Sequence, residues 1–227
     1  MELGLPVCSA PKCQLRPVSA NSSAEDACGI TLDKHGDHIV SCKKGGGVQR
    51  VHGAIGRVIG SAARECGAEV SFERTVPELL QGEPGTDDTV EAILDVHIWC
   101  AFPYPMEEWV DVTCRHPFAK RYRSAAASTC GVAAKAGESD KEKRYGRGEG
   151  GVVVSTAAIE SWGLMGNGFE QLLGRLEAAW AARHYAGPAE AARTARRWRE
   201  ELGIAQVRCI HRSVEQAQRV GGVPDEP

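Results

Sequence analysis

Two apolar runs, each interrupted by a single carboxylate, constrain this chain more than any other feature. They lie within residues 92–117, AILDVHIWCAFPYPMEEWVDVTCRHP. Residues 92–101 and 109–116 are rich in Val, Ile, Trp and Cys, which suits β-strands. A short proline-containing turn separates them. Strand side chains alternate between faces. Leu94, Val96 and Ile98 are therefore expected on one face, and Asp95 on the other with Ile93 and His97. In the second run Val110, Val112 and Cys114 share a face, and Asp111 and Thr113 share the opposite one. A carboxylate inside a buried strand is costly unless it is paired, hydrogen-bonded or bound to a metal. Two on adjacent strands also repel. A divalent cation answers both problems, because Mg²⁺ is held by one or two carboxylates and keeps several waters. The alternative is a pair of strand-edge aspartates capped by backbone N–H groups.

The 227 residues are enough for one good core and a small appended module. Apolar content of 42% and charged content of 25% are ordinary for a globular chain. No apolar run approaches the roughly 18 residues of a membrane helix. The start, MELGLPVCSAPK, has neither a basic n-region nor an apolar h-region, so an intracellular, non-secreted protein is expected. Nine cysteines without an export signal read as thiols or metal ligands rather than disulfides. The net charge is −3, but the charges are segregated. Residues 43–64 hold five Lys/Arg and no acid, 73–111 hold ten acids against one Arg, and 115–147 hold nine Lys/Arg against three acids. An acidic centre between basic arms suits a metal site beside a phosphate-binding surface. Solvated helix faces would give the same runs.

Along the chain, residues 1–27 read as a flexible segment. In residues 28–42, Cys28, His38 and Cys42 are candidate ligands of a tetrahedral zinc site, with Cys13 or Cys8 as the fourth and His35 as a further possibility. A cluster of free thiols with a loop histidine is the alternative. KKGGG at 43–47 reads as a flexible basic linker; it lacks the pattern of a phosphate loop. Residues 48–66 carry Val51, Ile55, Val58, Ile59 and Ala62 at helical spacing, and Gly67 ends that helix. His52, near its first turn, reads as a surface or core residue. A strand is expected over 68–76, ended by Pro77, with a loop over 77–89. Helix follows from 117 towards 147, broken near Cys130–Gly131 or at Gly137. A strand over 152–158 and helices over 169–184 and 189–202 complete the pattern, with a disordered tail from 221. The order predicts an α/β (α+β) domain, a mixed central sheet flanked by helices.

These residues together resemble a known family. The order αβββαβ, with an acid on the second core strand and another on the third, is similar to the PD-(D/E)XK restriction-endonuclease-like superfamily. More narrowly it resembles the endonuclease domain of site-specific non-LTR retrotransposon and related reverse-transcriptase-like proteins. The match rests on CG…GDHIVSC at 28–42, KKGGGVQRVH at 43–52, Leu94-Asp95-Val96, Asp111-Val112-Thr113 and Lys141-Glu-Lys-Arg-Tyr145. The segment 158–163, AIESWG, also matches a strand end there. The resemblance covers roughly residues 28–176. It implies a zinc-knuckle-like segment and basic linker over 28–47, a nuclease domain over 48–184, and an appended basic helix and tail over 185–227. Leu94 stands where the family has proline, Thr113 where classical members have lysine, and Asp26 where the knuckle's first cysteine would be.

The resemblance implies a Mg²⁺- or Mn²⁺-dependent DNA endonuclease. Asp95, Asp111 and the carbonyl of Val112 would hold the metal, and Lys141 would orient water or offset charge on the phosphate. Tyr145 would support Lys141 or touch the phosphate. Glu73 is a lesser candidate for an extra acid. Lys43, Lys44, Arg50, Arg121 and Arg123 would grip phosphates without reading sequence. The implied partners are DNA and a reverse-transcriptase-like polypeptide or its RNA, and the implied compartment is the nucleus or cytoplasm. The competing readings are a non-catalytic nucleic-acid-binding module and a degenerate fragment of a retroelement.

Overall fold

The computed structural model describes residues 12–17, 27–32, 36–81, 90–100, 106–145 and 152–219. Its elements, in chain order, are α1 (Asp37–Ser41), a 3-10 turn (Lys44–Gly46), α2 (Gly47–Glu65), β1 (Glu69–Gln81), β2 (Val90–Cys100), β3 (Met106–Arg115), α3 (Arg123–Ala126), α4 (Val132–Tyr145), β4 (Val154–Glu160), α5 (Asn167–His184) and α6 (Pro188–Arg219). The four strands form one sheet in the order β1-β2-β3-β4. The first two pairings are antiparallel, and β4 lies parallel to β3. A parallel neighbour needs a crossover, and α3 and α4 supply it. This is the mixed α/β sheet expected from the sequence.

The main core lies on one side of the sheet. Val96, Ile98, Val110, Val112, Ala157 and Ile159 meet Ile55 and Ile59 of α2, Leu172, Leu173 and Leu176 of α5, and Trp198 and Leu202 of α6. On the other side α4 lies over β3 and β4. There Tyr145 packs with Val76, Ala92 and Leu94 in a second cluster. Leu94 therefore does not share a face with Val96 and Ile98. Glu73, on β1 opposite the Leu94–Val96 segment, adopts the left-handed region at φ 51°, and regular pairing skips Glu73 and Asp95. The alternation is reset at that kink.

Other boundaries differ for local reasons. β1 runs through Pro77 to Gln81 instead of ending at Val76. It is an edge strand, so a missing N–H breaks no ladder bond on its open side. A bulge between Val76 and Leu80 takes up the proline. The part of the expected loop at 82–89 lies outside the described residues, as do His35, Cys8 and the tail from 220. The 43–47 segment is ordered structure. Gly45 (φ 80°) is buried against Leu15, with its missing Cβ only 3.1 Å from a Leu15 methyl, and its carbonyl accepts Arg50 Nη1 at 2.6 Å. α6 extends 17 residues past Leu202. Its buried stripe continues through Gln206, Cys209, Ser213 and Ala217. Two of those positions are polar, so the stripe does not read as apolar. Gln206 donates to the Glu160 carbonyl at 2.7 Å, and Ser213 donates to the Cys209 carbonyl at 3.0 Å. α6 thus belongs to the main core.

The break after α3 falls at Gly131 (φ 79°), and Gly137 sits inside α4. A Cβ on Gly137 would lie 2.9 Å from Thr113 Cγ2 and 3.4 Å from Arg115 Cγ. The glycine thus sets how closely α4 approaches β3. Gly174 on α5 has nothing within 4 Å. Gly137→Ala should destabilise by about 1–3 kcal/mol through overpacking. Gly174→Ala should stabilise by about 0.5–1 kcal/mol through helix propensity. Thermal unfolding of the two variants checks the pair.

Candidate functional site

β2 and β3 pair from Cys100–Met106 as far as Val96–Val110 and then part. β3 continues beside β4 to Arg115, while β2 continues beside β1. At the fork the ladder bonds are replaced by side chains. Asp95 Oδ2 accepts the Val112 N–H at 2.6 Å. His52, reaching from the second turn of α2, places Nε2 2.5 Å from the Val112 carbonyl and 3.3 Å from Asp95 Oδ2. A carbonyl only accepts, so Nε2 carries the proton.

Asp111 turns to the opposite side, beneath α4, and is 3% exposed. Its Oδ2 accepts from Lys141 Nζ at 2.6 Å and from Tyr145 OH at 2.5 Å. Lys141 and Tyr145 are four residues apart, one turn along α4, so both reach one carboxylate. Buried Glu160, at the end of β4, fixes the helix by accepting the N–H groups of Ala133 and Ala134 at 2.9 and 3.2 Å. The ligand atoms of His52, Asp95 and Asp111 all lie within 4.8 Å of one another. A cavity of about 620 Å³ opens beside Lys141 and Tyr145, reaching Glu138, Asn167 and Arg175.

The electrostatics follow from burial. Loss of solvent pushes Asp95 up to about 6. His52 and the Val112 N–H pull it down, and neighbouring Asp111 pushes it up. Burial and the Asp111 carboxylate also raise Tyr145, which remains a proton donor.

The sequence-derived residues Asp95, Asp111, Lys141 and Tyr145 come together here, although sequence separates them by up to 50 positions. The sequence places His52 on the surface or in the core, and the structure instead sets it in the cluster. The available signal was its place beside Val51 on the apolar side of an amphipathic helix. Thr113, at the usual lysine position, is buried against Gly137. Lys141 reaches Asp111 from the helix that covers it. Glu73 is exposed on β1 and is absent from the cluster.

A second group of ligands lies at the N-terminal end. A short ribbon, with Lys12 bridged to Thr31, brings Cys13 beside Cys28, and α1 and its C-cap supply His38 and Cys42, four residues apart. The ligand atoms of all four lie within 4.8 Å of one another. Cys13 Sγ and Cys42 Sγ are 3.8 Å apart, and Cys28 Sγ is 3.2 Å from His38 Nε2. Sulfurs bonded at about 2.3 Å to a tetrahedral ion stand about 3.8 Å apart, so the first edge fits such an ion. The second edge is the length of a hydrogen bond. Burial raises both Cys13 and Cys42, the latter to about 12. Cys13 is therefore the fourth member among the described residues.

The expected phosphate-binding residues are less uniform. Arg50 is turned inward, donating to Gly45, Ser213 and Gln216, and works as a bolt between α2 and α6. Arg121 pairs with Asp140, and Arg123 donates to the Phe118 carbonyl. Lys44 donates to the Ala27 carbonyl at 3.4 Å. Lys43 is exposed beside a hollow it shares with Arg121.

No family model, curated protein or solved structure matches the chain. No helix among the described residues is long and apolar enough to cross a membrane.

The raised Asp95 gives a test of this geometry in the protein alone. Folded Asp95 keeps its proton to about 6, whereas an ordinary aspartate releases it near 3.8. Protons therefore favour the folded state between those values, and this contribution is lost as pH rises through about 6. Asp95→Asn stays neutral and keeps an oxygen for the Val112 N–H. The melting temperature of the wild type should fall relative to Asp95→Asn, by a few degrees, between pH 4 and pH 7. Parallel curves would mean that Asp95 is not buried as described.

Proposed function

We propose that this chain is a metal-dependent DNA endonuclease of the PD-(D/E)XK kind, related to the endonuclease domain of site-specific non-LTR retrotransposons. The observation that carries the reading is the convergence at the β2/β3 fork. Side chains from α2, β2, β3 and α4 bring two carboxylates, a strand carbonyl and an ammonium group together. Hard oxygen donors of this type suit Mg²⁺ or Mn²⁺. Asp95, Asp111 and the carbonyl of Val112 would hold the ion. When bound, it supplies Lewis acidity and an acidified water for attack on a phosphodiester.

The chain's own residues have separable roles. His52 fixes the Val112 carbonyl through its N–H. Lys141 supplies positive charge where negative charge grows on the phosphate. Tyr145 holds Asp111 by donating its hydroxyl proton. The reading carries a DNA substrate, a nuclear or cytoplasmic setting, and a reverse-transcriptase-like polypeptide or its RNA as a partner. We assign zinc to the group Cys13, Cys28, His38 and Cys42, because three sulfurs and one imidazole form a common structural zinc set.

One observation favours a second reading, a binding module without catalysis. Asp111 is already satisfied by Lys141 and Tyr145, and Asp95 by Val112 and His52, so the cluster is closed without an ion.

Supercoiled-plasmid nicking with added Mg²⁺ or Mn²⁺ separates the two. Nicking is expected in the wild type and should drop at least about 100-fold in Asp111→Ala and in Lys141→Ala. A folded wild type that nicks with neither metal moves the assignment to the binding module. Metal analysis of the purified chain tests the other cluster. About one zinc per chain is expected, lost in Cys42→Ser together with part of the thermal stability. Full zinc occupancy in that variant would overturn the ligand set.

A further inference from the structure

α6 carries many arginines, and those in its first half are mostly neutralised. Arg196 pairs with Glu200, Arg197 with Glu65 and Glu201, and Arg199 with Glu170. About two and a half turns past Arg199 the pattern changes. Arg208 and Arg212 are exposed and make no hydrogen bond or ion pair with any described residue. Arg57, across from them on α2, is equally exposed and equally unpaired. The three line a groove of about 480 Å³ between α2 and α6. Ala54, Val58, Ala205 and Ser61 also line it. Ile204 stands 49% exposed there. The one acid in the lining, Glu201, is held by Arg197 at 2.8 Å.

A folded chain gains nothing from gathering three like charges without partners, since they repel and weaken the helix pair that carries them. A bound polyanion supplies the missing partners. Arg208 and Arg212 are four residues apart and stand about 5–6 Å from each other at their roots. Arg57 faces them from the second helix, so the guanidinium forks can grip a linear anion from both sides. Phosphodiester chains alternate a charged phosphate with a largely apolar sugar. The groove likewise combines guanidinium groups with Val58, Ala205 and Ile204. Among the described lining residues there is no Asn or Gln to pair with a base edge, and three guanidinium groups in a row suit successive phosphates.

We propose that the α2–α6 groove is a second nucleic-acid surface, binding the phosphodiester backbone without regard to sequence. It lies apart from the central cluster. Arg57 follows His52 by five residues, about 140° further round α2. His52 points into the sheet while Arg57 points to solvent. The surface goes beyond the nuclease reading and does not require cleavage.

The test is equilibrium binding of the full chain to a fluorescein-labelled 20-base-pair duplex across a KCl series, with no divalent cation added. The variant is Arg57→Gln/Arg208→Gln/Arg212→Gln, whose exposed positions leave the core intact; thermal unfolding checks this. Loss of three phosphate contacts should weaken low-salt binding at least tenfold. It should also reduce the slope of log K against log[salt] by about 2.7. Arg196→Gln, which removes a charge already paired with Glu200, should leave the slope unchanged. A triple variant with wild-type affinity and slope overturns the proposal. So does one that loses binding to labelled poly-glutamate while keeping the DNA slope, since the groove would then serve an acidic protein. Because binding is read without cleavage, an inactive nuclease centre would leave these expected results unchanged.

Discussion

The parting of β2 from β3 after the Val96–Val110 pair is the feature on which the candidate site depends. A continuous ladder would place Asp95 directly opposite Asp111, two carboxylates at the closest spacing a sheet allows. Instead, Asp95 bonds the Val112 amide and His52 bonds the Val112 carbonyl. The fork therefore leaves neither backbone group of Val112 orphaned, which an interior split would otherwise make costly. It also turns Asp95 towards α2 and leaves Asp111 to α4. The same local defect separates the carboxylates and still keeps their oxygens within 4.8 Å.

The fork is held from both sides by contacts far from it. On the α4 side, Glu160 caps the helix start, Gly137 permits close approach to Thr113, and Glu138 accepts the Gly168 N–H at the start of α5 at 2.7 Å. On the α2 side, Arg50 bolts the helix start to α6, and Trp198 of α6 donates to Glu65 at its far end at 3.3 Å. Buried side chains held by several hydrogen bonds specify position. Lys141 and His52 occupy one geometry because their parent helices are tied in this way.

Much of this was legible in the sequence, and the failures have physical causes. The two strands of the hairpin, α2 and a break near Gly131 follow from period and glycine placement, and the cost of buried charge singles out Asp95 and Asp111, whereas Lys141 and Tyr145 are supplied only by the family resemblance. Cys28, His38 and Cys42 follow from ligand chemistry, which leaves Cys13 and Cys8 open as the fourth member; the fold brings in Cys13. The course of β1 through Pro77 was hidden because sequence does not say which strand lies at the edge. Leu94 departs from the face that strict alternation predicts because alternation assumes an unkinked strand, and the pairing is interrupted at Glu73. The length of α6 was hidden because Gln206 and Ser213 hold core positions by hydrogen bonding rather than by apolarity. The place of His52 is not legible in the sequence, because a histidine on a helix shows its role only when the strand opposite it opens.

The N-terminal cluster is tied to the same frame, which gives it a bearing on the central site. Leu15, Ile39 and Cys42 pack with Val214 and Ala217 near the end of α6. Asp37 of α1 reaches the buried His116 at 3.3 Å, one residue past the end of β3. The Lys44–Gly46 turn then leads directly into α2. An ion bound by Cys13, Cys28, His38 and Cys42 would fix α1 against that turn. His52, five residues into α2, would then start from a fixed origin. The two ligand clusters share no residue, yet α2 and β3 run from one to the other.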